Sequence, residues 1–328
     1  MKYRKLGKSD IEVSEISLGC WTMGGLNWVN GTPNGWADVN EDEVKEAINY
    51  AIDNGVTHFD NADVYGNGRA ERMLARILGK RTNDFIIATK IGWFPGTAEH
   101  AYETQHIRHQ CEQSLKNLNR DYIDLYYFHH GNFGDSDEYL DDAVEVMCRL
   151  REEGKIRLIG QSAYSHSDFK KLIPKVKPDA IQSFCSAIDD RFLQEGTPTR
   201  KLLDENNISF VAFGPVAQGL LLDKYDKNNP PKFENGDHRK NSSRFSKEYL
   251  TKLDPVLKKL KAEFGSSVEE LARAALQYLL HYKETGCVIP GFRNLKQLKS
   301  NLAGQDKPLT DEEFNYIKGI FKDFNRGE

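Results

Sequence analysis

EDEVKEAINYAIDNGVTHFDN, residues 41–61, reads as one helix followed by one strand. Val44, Ala47, Ile48, Ala51 and Ile52 recur at steps of three and four, which places them on one helical face. Asn54-Gly55 is a helix stop, because glycine takes up the left-handed conformation that ends a helix without steric cost. Behind it, 57–61 has the composition of a short buried strand. The alternation repeats along the chain. Strand-like runs lie at 15–20, 57–61, 84–90, 122–129, 156–162, 179–184, 208–215 and 286–291, and helical stretches at 41–54, 104–118, 138–153, 247–264 and 268–282. Eight strands, each followed by a helix or a long loop, in 328 residues predict an α/β fold of one (β/α)8 barrel domain over 1–328. Two doubly wound halves would need a linker near the middle, and no such stretch is there.

Two pieces stand outside the eightfold pattern. Residues 3–6 and 12–13, around Gly7-Lys8-Ser9-Asp10, predict an N-terminal hairpin. Residues 310–324 predict an extra C-terminal helix, with Thr310 as N-cap and Glu313 completing a capping box. The Gly/Asn-rich 24–39 and the polar 226–243 read as long loops, the second long enough to suggest a functional role.

Composition narrows the function. Lys and Arg total 45 against 49 Asp and Glu, a net charge of −4, without the basic excess that nucleic-acid binding needs. No apolar run approaches the ~18 residues of a membrane helix. Positive charges near the start have no apolar run behind them, so no secretory signal is expected. The five cysteines, Cys20, Cys111, Cys148, Cys185 and Cys287, are odd in number and far apart, as expected of reduced thiols in a cytoplasmic protein. His106 and His109 have no third ligand nearby and there is no H-E-x-x-H, so no metal is expected. Gly7-Lys8-Ser9 ends like a phosphate loop, but Lys2 stands where its first glycine belongs. Nothing in the sequence fixes an oligomeric state.

Active sites of such barrels lie at the C-terminal strand ends. There the second strand brings Asp60 and Tyr65, the third Lys90 and the fourth His129. A phenol, with an ordinary pKa of about 10, is a weak acid at neutral pH. A lysine ammonium beside it favours the phenolate, an aspartate keeps that lysine charged, and a histidine orients a carbonyl oxygen. The four together suit proton transfer to a carbonyl while another group delivers hydride.

Phe-Asp-Asn-Ala-Asp-Val-Tyr-Gly (59–66), Ala-Thr-Lys (88–90), Asp-Leu-Tyr-Tyr-Phe-His (124–129), Gly-Lys-Ile-Arg-Leu-Ile-Gly-Gln-Ser (154–162) and Val-Ile-Pro-Gly (288–291) resemble, in order and spacing, the aldo-keto reductases. The resemblance implies that Tyr65 is the general acid, Lys90 lowers its pKa, Asp60 supports Lys90 and His129 orients the substrate. It implies NADPH (NADP+) as cofactor, with NADH possible, bound without a Rossmann fold; no G-x-G-x-x-G follows a strand. Ser162, Gln182 and Phe213 match its nicotinamide end, and Trp21, an aromatic of the pocket wall, is expected to bind the cofactor as well. Pro215 and Lys224 match its phosphate-binding stretch, and Gly291, Arg293, Gln297 and Asn301 its adenosine end; Arg239, on the long loop after the seventh strand, is expected to add a cation near the phosphates. The chain departs from the pattern at Ala163, Gly214, Asp223 and Ser300, where the family usually has Asn, Ser, Gly and Glu. Trp28, Trp93 and His130 are expected on the substrate wall, suiting a small-molecule carbonyl on an aromatic or sugar body.

The function expected is NADPH-dependent reduction of such a carbonyl. A rival is a regulatory NADP(H)-binding barrel resembling potassium-channel beta subunits, which lack a histidine at the place of His129. A hydrolase with paired carboxylates would need a second strand-end acid beside Asp60.

Overall fold

The computed structural model describes residues 1–29, 31–322 and 324. β1 (Tyr3–Lys5) and β2 (Glu12–Ser14) form an antiparallel hairpin. Then follow β3 (Leu18–Gly19), the one-turn helix α1 (Trp21–Gly24), a second antiparallel hairpin of β4 (Leu26–Val29) and β5 (Thr32–Gly35), and α2 (Glu41–Asp53). Strands and helices now alternate: β6 (His58–Asp60), α3 (Arg69–Leu78), β7 (Ile86–Ile91), α4 (Thr104–Leu118), β8 (Ile123–Phe128), α5 (Leu140–Glu152), β9 (Ile156–Ser162), α6 (His166–Val176), β10 (Ala180–Phe184) and α7 (Pro198–Asn206). β11 (Ser209–Phe213) leads through the long loop to α8 (Lys247–Phe264) and α9 (Val268–Leu280), and β12 (Thr285–Ile289) to α10 (Leu295–Leu302) and α11 (Asp311–Phe321).

β3 and β6 to β12 form one eight-stranded parallel sheet in sequence order. Its edges meet through parallel bridges Ile16–Val288 and Gly19–Gly291, with Ser17 N–H donating to the Val288 carbonyl at 2.9 Å. That closure makes the predicted barrel. All six residues of β8 are buried, as expected of a strand covered on both faces. Leu125, Tyr127, Val211 and Cys287 fill the interior, and Leu6, Ile11 and Val13 of the first hairpin pack against them as the floor. The hairpin closes this end of the barrel, and the other end stays open.

The structure refines several expectations. The terminal helix keeps its Thr310–Glu313 capping box but ends at Phe321, and Asp323 lies outside the described residues. The first strand is shorter than 15–20. The 24–39 stretch, read as a loop, holds the β4–β5 hairpin. Its patterning is too polar to signal strands, and the pairing is supported from outside. Gly35 N–H donates to the Gly236 carbonyl at 2.9 Å and His238 N–H to the Gly35 carbonyl at 3.0 Å. The polar 226–243 loop is thus docked on the hairpin, and the two cross the barrel mouth together.

Candidate active site

The mouth opens into a cavity of about 730 Å³. Asp60 is the last residue of β6, Lys90 lies inside β7, and His129 follows β8, its N–H donating to the Ile91 carbonyl at 2.8 Å. Tyr65 stands on the turn after β6, and that turn is pressed against α1. A Cβ at Gly66, φ +59°, would lie 2.0 Å from the Gly24 carbonyl oxygen, so only glycine lets the two backbones meet. Asn27 of the second hairpin accepts the Gly66 N–H at 2.7 Å and holds the turn from above.

The Lys90 ammonium is buried and ion-paired with Asp60 Oδ1. It donates to the Asn61 carbonyl at 2.6 Å and lies 3.3 Å from the Tyr65 hydroxyl. Gln182 Nε2 donates to the other Asp60 oxygen at 2.8 Å. The His129 ring meets Tyr65 edge-on, centroids 5.9 Å apart. The four predicted groups therefore share one cluster.

Burial biases their protonation. Burial first, and the Asp60 charge second, hold the Tyr65 phenol well above its usual range. Burial, then Lys90 and His130, hold His129 well below the usual imidazole range. Burial thus sets the net direction of the Tyr65 shift. The Lys90 ammonium is engaged more closely by Asp60 and Asn61 than by the phenol. At neutral pH the site presents a protonated phenol and a neutral imidazole, a pair that can donate to and orient one oxygen.

Trp21, Ser162, Gln182, Phe213, Pro215, Lys224, Arg239, Gly291, Arg293, Gln297 and Asn301 all line the same cavity, as does Trp93. Ser162 Oγ and Trp21 Nε1 are buried there without a hydrogen-bond partner among the described residues, as groups awaiting a polar ligand would be. Lys224 and Arg293 make no ion pair among the described residues. Burial, then Lys296 and Arg293, depress the Lys224 pKa. Cations crowded together in this way favour an anion. These residues fit a dinucleotide with its amide end at Ser162 and its phosphate-bearing end at Lys224 and Arg293.

Three expectations need correction. Trp28 does not face the cavity: it is 58 % exposed, and its strand neighbours Asn27 and Val29 are the lining residues, as alternation along β4 requires. His130 is buried behind Trp93 rather than in the wall. Arg239 is not a spare cation, because Asp237 pairs with it and Trp36 and Phe233 flank its guanidinium at 4.6 and 4.2 Å. Sequence reasoning missed Tyr164 and His238 in the wall, and Lys296 beside Lys224. Tyr164 was findable, two residues beyond the end of β9. Trp36 and His238 reach the cavity only because hairpin and loop pair.

The sequence model of the Aldo/keto reductase family matches residues 15–322. An uncharacterized oxidoreductase of Bacillus subtilis, YqkF, is 31 % identical over 98 % of this chain and 97 % of its own. A probable voltage-gated potassium channel subunit beta of Arabidopsis thaliana is 29 % identical over 93 % and 92 %. The holo form of aldo-keto reductase AKR11C1 from Bacillus halodurans superposes with a TM-score of 0.77 at 28 % identity, covering 98 % of this chain and 96 % of its own.

Behind the cluster lies a carboxyl the resemblance did not single out. Asp63 accepts the Val64 N–H at 2.6 Å and a Gln110 amide hydrogen at 3.3 Å. Burial first, and Glu71 second, push it up to about 8. An unfolded aspartate titrates near 3.9. The fold therefore favours protonated Asp63, and stability present below about pH 4 declines as pH rises toward about 8. Asp63→Asn should flatten that decline in urea unfolding measured across this window. An unchanged slope would contradict the assignment.

Proposed function

The chain belongs to the aldo/keto reductase family, and from that premise we propose that it reduces an aldehyde or ketone on an aromatic or sugar body to the alcohol, using NADPH. The observation that supports this most is the Tyr65 hydroxyl, 3.3 Å from an ammonium already paired with Asp60, on the wall shared with His129. A reduced nicotinamide dinucleotide, when bound, supplies the hydride. The chain's own residues do the rest. Tyr65 gives its proton to the substrate oxygen as negative charge develops there. His129, neutral, directs that oxygen toward the phenol. Lys90 stands ready to stabilise the phenolate left behind, and Asp60 with Gln182 keeps the ammonium in place.

Trp21, Ser162, Gln182 and Phe213 would hold the nicotinamide end, Pro215 and Lys224 the pyrophosphate, and Gly291, Arg293, Gln297 and Asn301 the adenosine end. Arg239 would serve indirectly, fastening the loop to Trp36. The regulatory reading is weaker, because the resemblance implies that channel subunits lack the histidine that stands here at 129.

Tyr65→Phe keeps the ring and removes the proton donor. It should abolish NADPH oxidation across a panel of aldehydes, ketones and sugars while leaving NADPH binding nearly intact. Robust turnover by this variant would sink the assignment. Arg293→Ala should weaken NADPH by about one to two decades, the worth of a charge-assisted bond of roughly 1.5–3 kcal/mol, and leave NADH unchanged. Fluorescence titration of both cofactors reads the difference. Equal losses would show that Arg293 does not recognise the 2′-phosphate.

A further inference from the structure

His130 stands beside His129 yet does not reach the cavity, and every polar atom it owns is used. Its ring Nε2 lies 2.9 Å from the Gly92 carbonyl, and its Nδ1 accepts the Asn132 N–H at 3.2 Å. Those partners require one tautomer, neutral with the hydrogen on Nε2. Its backbone N–H and carbonyl both bond the Tyr102 hydroxyl, at 3.0 and 2.9 Å, and the carbonyl also accepts from Gln161 at 3.2 Å. The residue is thus fixed at the end of β8 and grips the first residue beyond β7.

What it grips is the root of Trp93. The His130 and Trp93 rings meet edge-on, centroids 4.5 Å apart at 61°. Trp93 then stands 6.3 Å from the His129 ring at 75° and remains 44 % exposed on the cavity. An exposed indole on a loop has many rotamers to lose. Here the indole packs edge-on against a buried imidazole and the backbone before it is tied down, so its place beside His129 is held.

We infer that His130 is a positioning residue that sets Trp93 as a fixed wall beside His129 and thereby selects carbonyls with a ring-sized body. The inference rests on the carbonyl-reductase reading for its kinetic consequence, but not for the geometry. A ring-sized substrate packs against the indole and feels its placement. A short aliphatic aldehyde occupies the space around Tyr65 and His129 alone.

The test uses full-length protein labelled with fluorotryptophan, whose four tryptophans give four fluorine resonances. His130→Leu should displace or broaden the Trp93 line, identified by its loss in Trp93→Phe, and leave the other three in place. His130→Gln, which retains a donor for Gly92, should return the line toward its wild-type position. In kinetics His130→Leu should raise KM for 4-nitrobenzaldehyde about tenfold, the scale of one aromatic contact, with kcat and the KM for propanal nearly unchanged. In a Trp93→Ala background the same change should have no further effect. An unmoved Trp93 line, movement of all four lines together, or additive losses in the double variant would overturn the inference. A wild-type protein that reduces neither aldehyde would contradict the carbonyl-reductase reading, and the fluorine spectra would still decide the role of His130.

Discussion

The pairing of Lys90 with Asp60 inside the barrel is the constraint on which the site depends. Two opposite charges out of water are stable only when their remaining hydrogen-bonding capacity is also met. Here it is met from two strands and a turn: the Asn61 carbonyl after β6, the Gln182 amide on β10 and the Tyr65 hydroxyl. Each of those groups is then held where the pair needs it. Closure of the sheet between β3 and β12 makes the arrangement possible, because it brings β6 and β10 to face each other across one interior. Removing either charge would leave the other buried alone, at a cost of about 3–5 kcal/mol.

The same pairing divides the cavity electrically. At the catalytic end the charges cancel, and burial keeps Tyr65 protonated and His129 neutral. Toward Lys224, Arg293 and Lys296 the charge is positive. Under the proposed function, that asymmetry would draw the phosphates of a dinucleotide to one end of the cavity. The hairpin β4–β5 and the 226–243 loop complete the walls by pairing with each other, and Arg239 fastens them through Asp237, Trp36 and Phe233.

The sequence made the barrel readable because its signals are local. Helical periodicity at 41–54 and short apolar runs at 122–129 or 179–184 are set by neighbours along the chain. That Asp60, Tyr65, Lys90 and His129 share one cluster was readable because strand ends point to a common mouth, whatever the details of packing. What stayed hidden was non-local. Nothing in Leu26–Gly35 announces a hairpin, since its pairing is supported by Gly236 and His238 two hundred residues away. Trp28 was misplaced because a one-residue alternation decides which face it takes. His130 was misplaced because adjacency to His129 says nothing about burial. The direction of the Tyr65 shift depends on how deeply the phenol is buried, which no spacing in sequence supplies.

The central claim is that the phenol of Tyr65, held protonated by burial and by Asp60, is the proton source for reduction. The most direct measurement is the single-turnover rate of carbonyl reduction and of alcohol oxidation across pH, under conditions where chemistry limits both. Reduction requires the phenol and oxidation the phenolate. The account predicts a reduction rate level through neutral pH that falls only in the range of about 10 or above, where an unperturbed phenol titrates, while oxidation rises through the same region. Identical profiles in the two directions, or a reduction rate that falls through pH values near neutrality, would contradict it.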